Sequence, residues 1–280
     1  MPIRLPWQKQ KDIPTLLHFT HIKAGSTWVH GLLGRLFGGK VMPRFGSDLF
    51  DAGNAETASP PEHPPYLEMY RAMPFRAGHV YPGMFITRGE FLTRPEFADA
   101  RRFVVIRDLR DTLTSHYFSL KGTHALDKRG RVKFARDFLQ TAEKDDGLRF
   151  LFDRDLERLI ELQRSWLDAG EIVLRYEDLI GNDVAGFSDL FIGKLGLPIA
   201  PREIERAVAV SRFENVYKRK LGELDEKSHG RQGLPGDWKN HFSPNIRREF
   251  HERAGSVLVA AGYEKDDAWV TQSAASFSAR

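Results

Sequence analysis

The chain of 280 residues contains no cysteine, and this absence excludes several kinds of chemistry. Disulfides, thiolate metal sites and a cysteine nucleophile are all impossible, so the fold must be held together by packing alone. The sequence also has no apolar run of 18 residues and no apolar signal core near its start. We therefore expect a soluble, cytoplasmic protein with no membrane partner.

An excess of charge of one sign is also missing. The 42 Lys and Arg residues exceed the 38 Asp and Glu residues by only four, and the two signs are interspersed along the chain. Proteins that bind duplexes usually concentrate basic residues in a stripe, so we expect no nucleic-acid partner. A small polyanionic ligand is compatible with this balance.

Three short apolar segments each precede a pattern typical of a helix. They cover residues 15–22, 103–106 and 172–174. Strands that alternate with helices predict a parallel sheet with crossover helices. We therefore predict a single α/β domain over residues 1–280, with a central, mainly parallel β-sheet flanked by helices and loose tails at about 1–12 and 268–280.

Other segments give coarser predictions. Residues 42–74 contain six prolines, which predicts either a loop over a site or a structureless insertion. Residues 133–167 predict two helices, and residues 244–261 predict a last helix. Residues 211–242 predict irregular structure between them.

The segment from His21 to Trp28 lies where the first strand gives way to a helix, and backbone N–H groups are unpaired at such a point. Gly25 allows close approach of a ligand to the backbone, and Lys23 supplies a mobile positive charge. The turn resembles a P-loop in its expected role, which is to bind a phosphate group. It differs from a nucleoside-triphosphate P-loop because the lysine precedes the only glycine.

A second basic site follows the second strand. Arg107 stands at the predicted carboxyl edge of the sheet, where open α/β folds bind ligands, and Ser115 follows about two helical turns later. A guanidinium and a hydroxyl together form a natural phosphate clamp. The alternative for Arg107 is a salt bridge to Asp111.

Three motifs in this order resemble the cytosolic-type sulfotransferases: the Lys23 turn, the segment 107–115, and Gly-Asp-Trp-Lys-Asn-His-Phe at 236–242. The resemblance implies binding of 3′-phosphoadenosine 5′-phosphosulfate (PAPS), with the first loop on the 5′-phosphosulfate and the second on the 3′-phosphate. Residues 231–233 are similar to the family's Arg-Lys-Gly loop, with Gln232 in place of the lysine. The nucleotide-binding residues that the resemblance implies are Lys23, Ala24, Gly25, Ser26, Thr27, Trp28, Arg107, Ser115, Tyr176, Ser211, Phe213, Arg231, Gln232 and Gly233.

The resemblance also implies a catalytic histidine shortly before a proline, and His79 precedes Pro82. Imidazole has a pKa suited to taking the proton of an acceptor hydroxyl near neutral pH. Lys23 would neutralise the charge that builds on the leaving phosphate, so no metal is required. If His79 points away from the site, the alternatives are Glu68, Glu90 and His116.

The function that follows is sulfuryl transfer from PAPS to a hydroxyl of a small-molecule or carbohydrate acceptor, which leaves 3′-phosphoadenosine 5′-phosphate (PAP). Two alternatives stay open: a P-loop-like kinase with Asp108 holding Mg²⁺, and a non-catalytic module that binds adenosine bisphosphate. The oligomeric state is not predicted, since the family's dimer motif is incomplete after Phe242. The aromatic residues that would line an acceptor pocket, or else pack in the core, are Tyr66, Tyr70, Phe75, Tyr81 and Phe85.

Overall fold

The computed structural model of the chain describes residues 12–43, 66–127, 130–228 and 230–272. Within these ranges four strands form one sheet in the order β2-β1-β3-β4, and every pairing is parallel. The strands are β1 (Leu16–Thr20), β2 (Val80–Met84), β3 (Arg101–Ile106) and β4 (Val173–Arg175). The predicted α/β fold with a parallel sheet is confirmed, and β2 is a strand that the sequence pattern did not indicate.

Helices surround this sheet. They are α1 (Ser26–Phe37), α2 (Tyr66–Ala72), α3 (Arg88–Phe91), α4 (Leu109–Phe118), α5 (Arg131–Thr141), α6 (Lys144–Leu151), α7 (Glu157–Leu167), α8 (Tyr176–Gly181), α9 (Asp183–Ser188), α10 (Pro201–Ser211), α11 (Phe213–Tyr217) and α12 (Pro244–Ala260). Short 3₁₀ helices cover 38–40, 95–97, 237–240 and 268–270. Three π-helical turns, Ser119–Thr123, Phe152–Leu156 and Asp189–Lys194, continue α4, α6 and α9.

Burial explains why these segments form strands. Every residue of β1 and of β2 is buried, as are the last four residues of β3. Strands that are buried on both faces consist mainly of consecutive apolar residues. This pattern made it possible to predict β1 and β3 from the sequence. The pattern of β2 is interrupted by Pro82 and Gly83, and this explains why it was missed.

The predicted helices are largely present. The helix predicted up to Phe37 is α1, which ends at Phe37 and is capped by Gly38 with φ of 54°. The two helices predicted within 133–167 correspond to α5 and to the nearly continuous run from α6 through its π turn to α7. The last predicted helix is α12, whose Ser243 Oγ accepts a hydrogen bond from the Ile246 N–H (3.3 Å). Most of the predicted loop at 42–74 lies outside the described residues.

The tail predicted to be loose from residue 268 is corrected by the structure at its start. Trp269 is 2% exposed and lies in the 3₁₀ helix Ala268–Val270. Its ring packs edge-on against Trp238, with 5.4 Å between the centroids. A large aromatic surface removed from water holds this segment to the domain.

The order of the strands fixes where a ligand would bind. From β1 the chain passes to β2 on one side and then to β3 on the other, so the connections diverge at the carboxyl ends of β1 and β3. Open α/β sheets bind ligands in the crevice at such a point. Among the described residues, no helix is long and apolar enough to span a membrane.

Candidate functional site

The loop between β1 and α1 is the first part of the site. Lys23 has φ of 61° and Gly25 has φ of 80°, so the chain turns sharply before α1 begins at Ser26. The carbonyl of Gly25 accepts from the Val29 N–H (3.0 Å), which closes the first helical turn. The remaining N–H groups in the first turn of α1 carry a partial positive charge at the end of this loop. This geometry suits an anion.

Arg107 lies directly after β3, the strand next to β1, and contacts that loop. Its Nη1 donates to the Lys23 carbonyl (2.9 Å), and its guanidinium carbon lies 4.8 Å from the centroid of the Tyr176 ring. Its Nε is buried and has no hydrogen-bond partner among the described residues. Buried donors are normally paired, so this N–H is a donor available to an oxyanion ligand.

His21 and Gln163 support this arrangement, and neither was selected from the sequence. The His21 Nε2 accepts from the Arg107 backbone N–H (3.1 Å) and lies 2.9 Å from the Gln163 Nε2, which also donates to the Arg107 carbonyl (2.7 Å). Burial lowers the pKa of His21 to about 4, so the ring is neutral and can accept at Nε2. Gln163 comes from α7, more than 50 residues away in sequence, and no local motif points to it.

An aromatic wall lies beside the loop. A Cβ built on Gly25 would meet the Tyr176 ring at 2.8 Å, so only glycine fits there. Trp28 packs edge-on against Tyr176 and Phe187, with centroids 6.0 and 5.3 Å apart. The Trp28 Nε1 is buried and has no hydrogen-bond partner among the described residues. Two of the predicted adenine contacts, Trp28 and Tyr176, therefore meet at the loop.

The late segment 231–236 closes the site on the same side. The Tyr176 hydroxyl donates to the Gly233 carbonyl (3.3 Å), and a Cβ on Gly233 would meet the Phe213 ring at 2.8 Å. The guanidinium carbon of Arg231 lies 4.1 Å from the centroid of the Phe118 ring, and Arg231 forms an ion pair with Asp237. The structure thus brings residues from four separate motifs to one edge of the sheet.

Asp111 ties that late segment to α4. Its carboxylate accepts from the Gly236 N–H (2.5 Å) and the Trp238 N–H (3.0 Å). Burial raises the pKa of Asp111, and the nearby charge of Arg107 opposes this rise. The alternative from the sequence was a salt bridge from Arg107 to Asp111; in the structure Asp111 acts on Arg107 through its charge, and its hydrogen bonds anchor the loop that carries Arg231.

Three other predicted nucleotide contacts are in less direct positions. Ser115 is half-buried on α4. The backbone carbonyl of Gln232 accepts from the Gly222 N–H (2.9 Å). Ser211 is buried at the end of α10, and its hydroxyl donates to the Ala207 carbonyl (2.7 Å).

The structure places His79, the base predicted from the resemblance, away from the phosphate loop. The His79 carbonyl accepts from the Leu16 N–H (3.0 Å), and Val80 pairs with Leu16. Both residues stand at the amino ends of their strands, whereas the phosphate loop follows Thr20 at the carboxyl end. At about 3.3 Å per residue, the two edges are roughly 15 Å apart.

The carboxylates considered as alternatives have other roles or positions. The Glu90 carboxylate accepts from the Thr87 N–H in a capping box and pairs with Arg158 (2.6 Å). Glu68 is exposed on α2. The Asp108 carboxylate caps α4 and holds the Arg110 guanidinium at 2.6 Å, which occupies the acid that a kinase would need for Mg²⁺.

The aromatic residues in and around β2 differ in how deeply they are buried. Tyr70 and Tyr81 are buried and pack against Phe97, so they belong to the core. Tyr66 packs edge-on against Phe85, with centroids 5.4 Å apart, and the charge of Asp155 acts on Tyr66. Tyr66 and Phe85 therefore stand near the end of β2.

Comparison with known proteins agrees with this geometry. Residues 15–261 match the family model described as the sulfotransferase domain. Among curated proteins, sulfotransferase 6B1 of Danio rerio is 25% identical over 288 residues, covering 92% of this chain and 86% of that protein. The 3-alpha-hydroxysteroid sulfotransferase of Cavia porcellus is 25% identical over 178 residues, covering 59% of this chain and 55% of that protein.

Solved structures show the same fold. Mouse sulfotransferase SULT7A1 complexed with PAP matches with a TM-score of 0.60 at 15% identity, covering 88% of this chain and 84% of that one. A retinol dehydratase in a complex with retinol and PAP matches with a TM-score of 0.52 at 15% identity, covering 87% and 81%. With the family model spanning most of the chain, the protein belongs to the PAPS-dependent sulfotransferase family and is an enzyme of that family.

Proposed function

We propose that this enzyme transfers a sulfuryl group from PAPS to a hydroxyl of a small-molecule or carbohydrate acceptor and releases PAP. The observation that carries the proposal is the bond from Arg107 Nη1 to the Lys23 carbonyl, which joins the two anion-binding segments at the carboxyl edge of the sheet. A nucleotide with phosphates at both its 5′ and 3′ ends needs two such segments side by side. The cytoplasmic location and the absence of nucleic-acid partners stay predictions.

The residues present fit that nucleotide. At Gly25 the backbone leaves space that a Cβ would fill. Two buried donors, the Arg107 Nε and the Trp28 Nε1, have no hydrogen-bond partner among the described residues. In this proposal residues 23–27 bind the 5′ end, while Arg107, Ser115 and the loop of Arg231 bind the 3′-phosphate. Trp28, Tyr176 and Phe213 line the adenine, with Ser211 and residues 232–233 behind them.

Lys23 is the residue that we assign to the leaving group. Charge builds on the bridging oxygen of the nucleotide phosphate as the sulfuryl group departs, and a lysine at the turn neutralises it without a metal. The ammonium group is most useful in the transition state, where that charge is largest. Its removal therefore lowers kcat more than it lowers nucleotide affinity.

Thermal unfolding in the presence of PAP tests the nucleotide assignment. A ligand that binds only the folded state raises Tm by mass action, so we expect PAP to raise it and ATP with Mg²⁺ to have little effect. Lys23→Met should retain most of the PAP shift and lose about 10²- to 10³-fold in kcat, on the scale of a removed electrostatic contact in a transition state. Equal stabilisation by ATP with Mg²⁺ would favour the kinase instead.

A further inference from the structure

The end of β2 reaches the phosphate loop but offers no proton acceptor there. A Cβ on Gly83 would lie 3.7 Å from the Ser26 Cβ, so this strand end borders the loop directly. The residues that follow, Met84 and Phe85, have no titratable side chain. With His79 at the opposite edge, the proton of an acceptor hydroxyl must go to a group from another element.

One of two neighbouring histidines is suited to this role. His116 lies on α4, directly after Ser115, and His124 follows the π turn that extends α4. The π turn closes with a bond from the His124 N–H to the Ser119 carbonyl (2.6 Å), which brings the two rings edge-on with centroids 6.1 Å apart. Ile22, directly before Lys23, packs against the apolar cluster that includes Leu113, Tyr117 and Leu120 of α4 and its π turn, and the positive charge of Lys23 acts on both rings.

A carboxylate from a second π turn completes the cluster. Asp155 lies in the turn between α6 and α7, and its Oδ2 is 3.6 Å from the His116 Nε2. Both side chains are less than 10% exposed. The other ring nitrogen, Nδ1 of His116, is buried and has no hydrogen-bond partner among the described residues. Buried polar atoms are nearly always paired, so this one calls for an explanation.

We propose that His116 is the catalytic base and that its Nδ1 accepts the proton of the acceptor hydroxyl, with Asp155 as the positioning residue at Nε2. The proposal rests on the proposed function. The acceptor O–H bond breaks and its proton moves to Nδ1, while the acceptor oxygen forms a bond to sulfur. The bond from sulfur to the 5′-phosphate oxygen breaks, and its electron pair leaves with PAP.

The surroundings keep the ring in the form that can accept a proton. Burial first, and then the charges of Lys23, His124 and Arg154, lower the pKa of His116 well below its usual value. Burial raises the pKa of Asp155 to about 6, and Arg154 opposes this rise. At pH 7.5 the imidazole is therefore neutral and the carboxylate is mostly ionised, so Asp155 can stabilise the imidazolium that forms.

A series of phenols with graded acidity tests the base in the intact enzyme. For the least acidic phenol, His116→Gln should reduce kcat by about 10²- to 10⁴-fold, the usual contribution of general base catalysis. For 4-nitrophenol, which ionises near neutral pH without help, the loss should be much smaller. His124→Gln is the matched control and should show the same small loss with every phenol. A loss graded with acidity in His124→Gln, or a uniform loss in His116→Gln, overturns the proposal.

Asp155→Asn tests the positioning role through the pH profile. Loss of the carboxylate removes a stabilising partner of the imidazolium, which lowers the pKa of His116 further. Since the base is active when neutral, the acidic limb of kcat against pH should move to lower pH while the plateau falls. A lower plateau with an unmoved limb would mean that Asp155 is only structural.

Imidazole NMR provides a readout that needs no turnover. In the PAP complex of the unmodified enzyme, we expect His116 at pH 7 to be neutral, with its proton on Nε2 and Nδ1 free. A proton on Nδ1 would overturn the proposal. If the enzyme binds PAP but sulfates no phenol or sugar alcohol, the proposed acceptor class fails, and the tautomer of His116 still decides whether this base is available.

Discussion

The two sides of the site differ in how they are built. The proposed nucleotide side is formed by the ends of adjacent strands, with the Lys23 loop after β1 and Arg107 after β3 joined by a direct hydrogen bond. The proposed acceptor side is formed by the end of β2, by His116 of α4 and by the π turn that holds Asp155. Contiguous motifs encode the first side, whereas the second depends on contacts between segments far apart in sequence.

This difference has a physical cause. An anion needs backbone N–H groups and a fixed cation, and a short loop between strand and helix supplies both. A buried base needs a partner and a shielded position, and these come from packing. The π turn after α4 brings His124 back over His116, and no local spacing rule predicts where such a turn inserts its extra residue.

The largest expected effect is on the nucleotide side, at Gly25. Gly25→Ala places a Cβ 2.8 Å from the Tyr176 ring on a residue with φ of 80°. The left-handed conformation costs about 1–2 kcal/mol for a residue with a Cβ, and the clash must also be relieved. We expect PAP affinity, measured by calorimetry, to fall about 100-fold.

Gly34→Ala is the matched control for that change. Gly34 lies in the middle of α1, and a Cβ there would meet nothing within 4 Å. Alanine should stabilise the helix by about 0.5–1 kcal/mol and leave PAP affinity unchanged. If Gly25→Ala binds PAP as well as Gly34→Ala does, the loop does not hold the nucleotide.

Arg107 and Arg110 are only three residues apart, and their substitutions should separate an effect on PAP binding from an effect on folding. Arg107→Gln removes the spare buried donor at the loop, so we expect PAP affinity to fall about 10- to 100-fold, as for a lost charged hydrogen bond. Arg110 instead pairs with Asp108 and Glu264, and its guanidinium carbon lies 4.0 Å from the centroid of the Trp238 ring.

Arg110→Gln should therefore act on folding. Breaking a buried ion pair from one side costs about 3–5 kcal/mol, so the denaturation midpoint should fall sharply while the folded fraction binds PAP normally. Chemical denaturation, with PAP titrations well below the midpoint, separates the two effects. Equal losses of affinity in both variants would show that Arg107 acts through the fold as well.

The sequence predicted the parts of the molecule that local patterns encode. The Lys23 turn and Arg107 could be placed because buried apolar strands precede both of them, and the parallel sheet followed from the same segments. Strand β2 could not be predicted, because Pro82 and Gly83 interrupt its pattern. His79 was selected by its position before Pro82 and its spacing to Arg107, and neither feature gives the direction of β2, which decides which end of the strand meets the ligand.

His79→Ala should have the smallest effect and tests that lesson directly. The His79 ring is half-buried, its Nδ1 lies 2.9 Å from the Ala77 carbonyl, and the residue stands at the amino edge of the sheet. Losing one partly exposed hydrogen bond costs about 1 kcal/mol of stability, and kcat with the least acidic phenol should stay within about twofold. A fall in kcat of tenfold or more, graded with phenol acidity, would require this edge to contact the acceptor. An unchanged kcat in His79→Ala, together with a large loss of kcat in His116→Gln, would support a base at the carboxyl edge of the sheet. The direction of β2, rather than the sequence spacing from Arg107, would then decide which histidine contacts the acceptor.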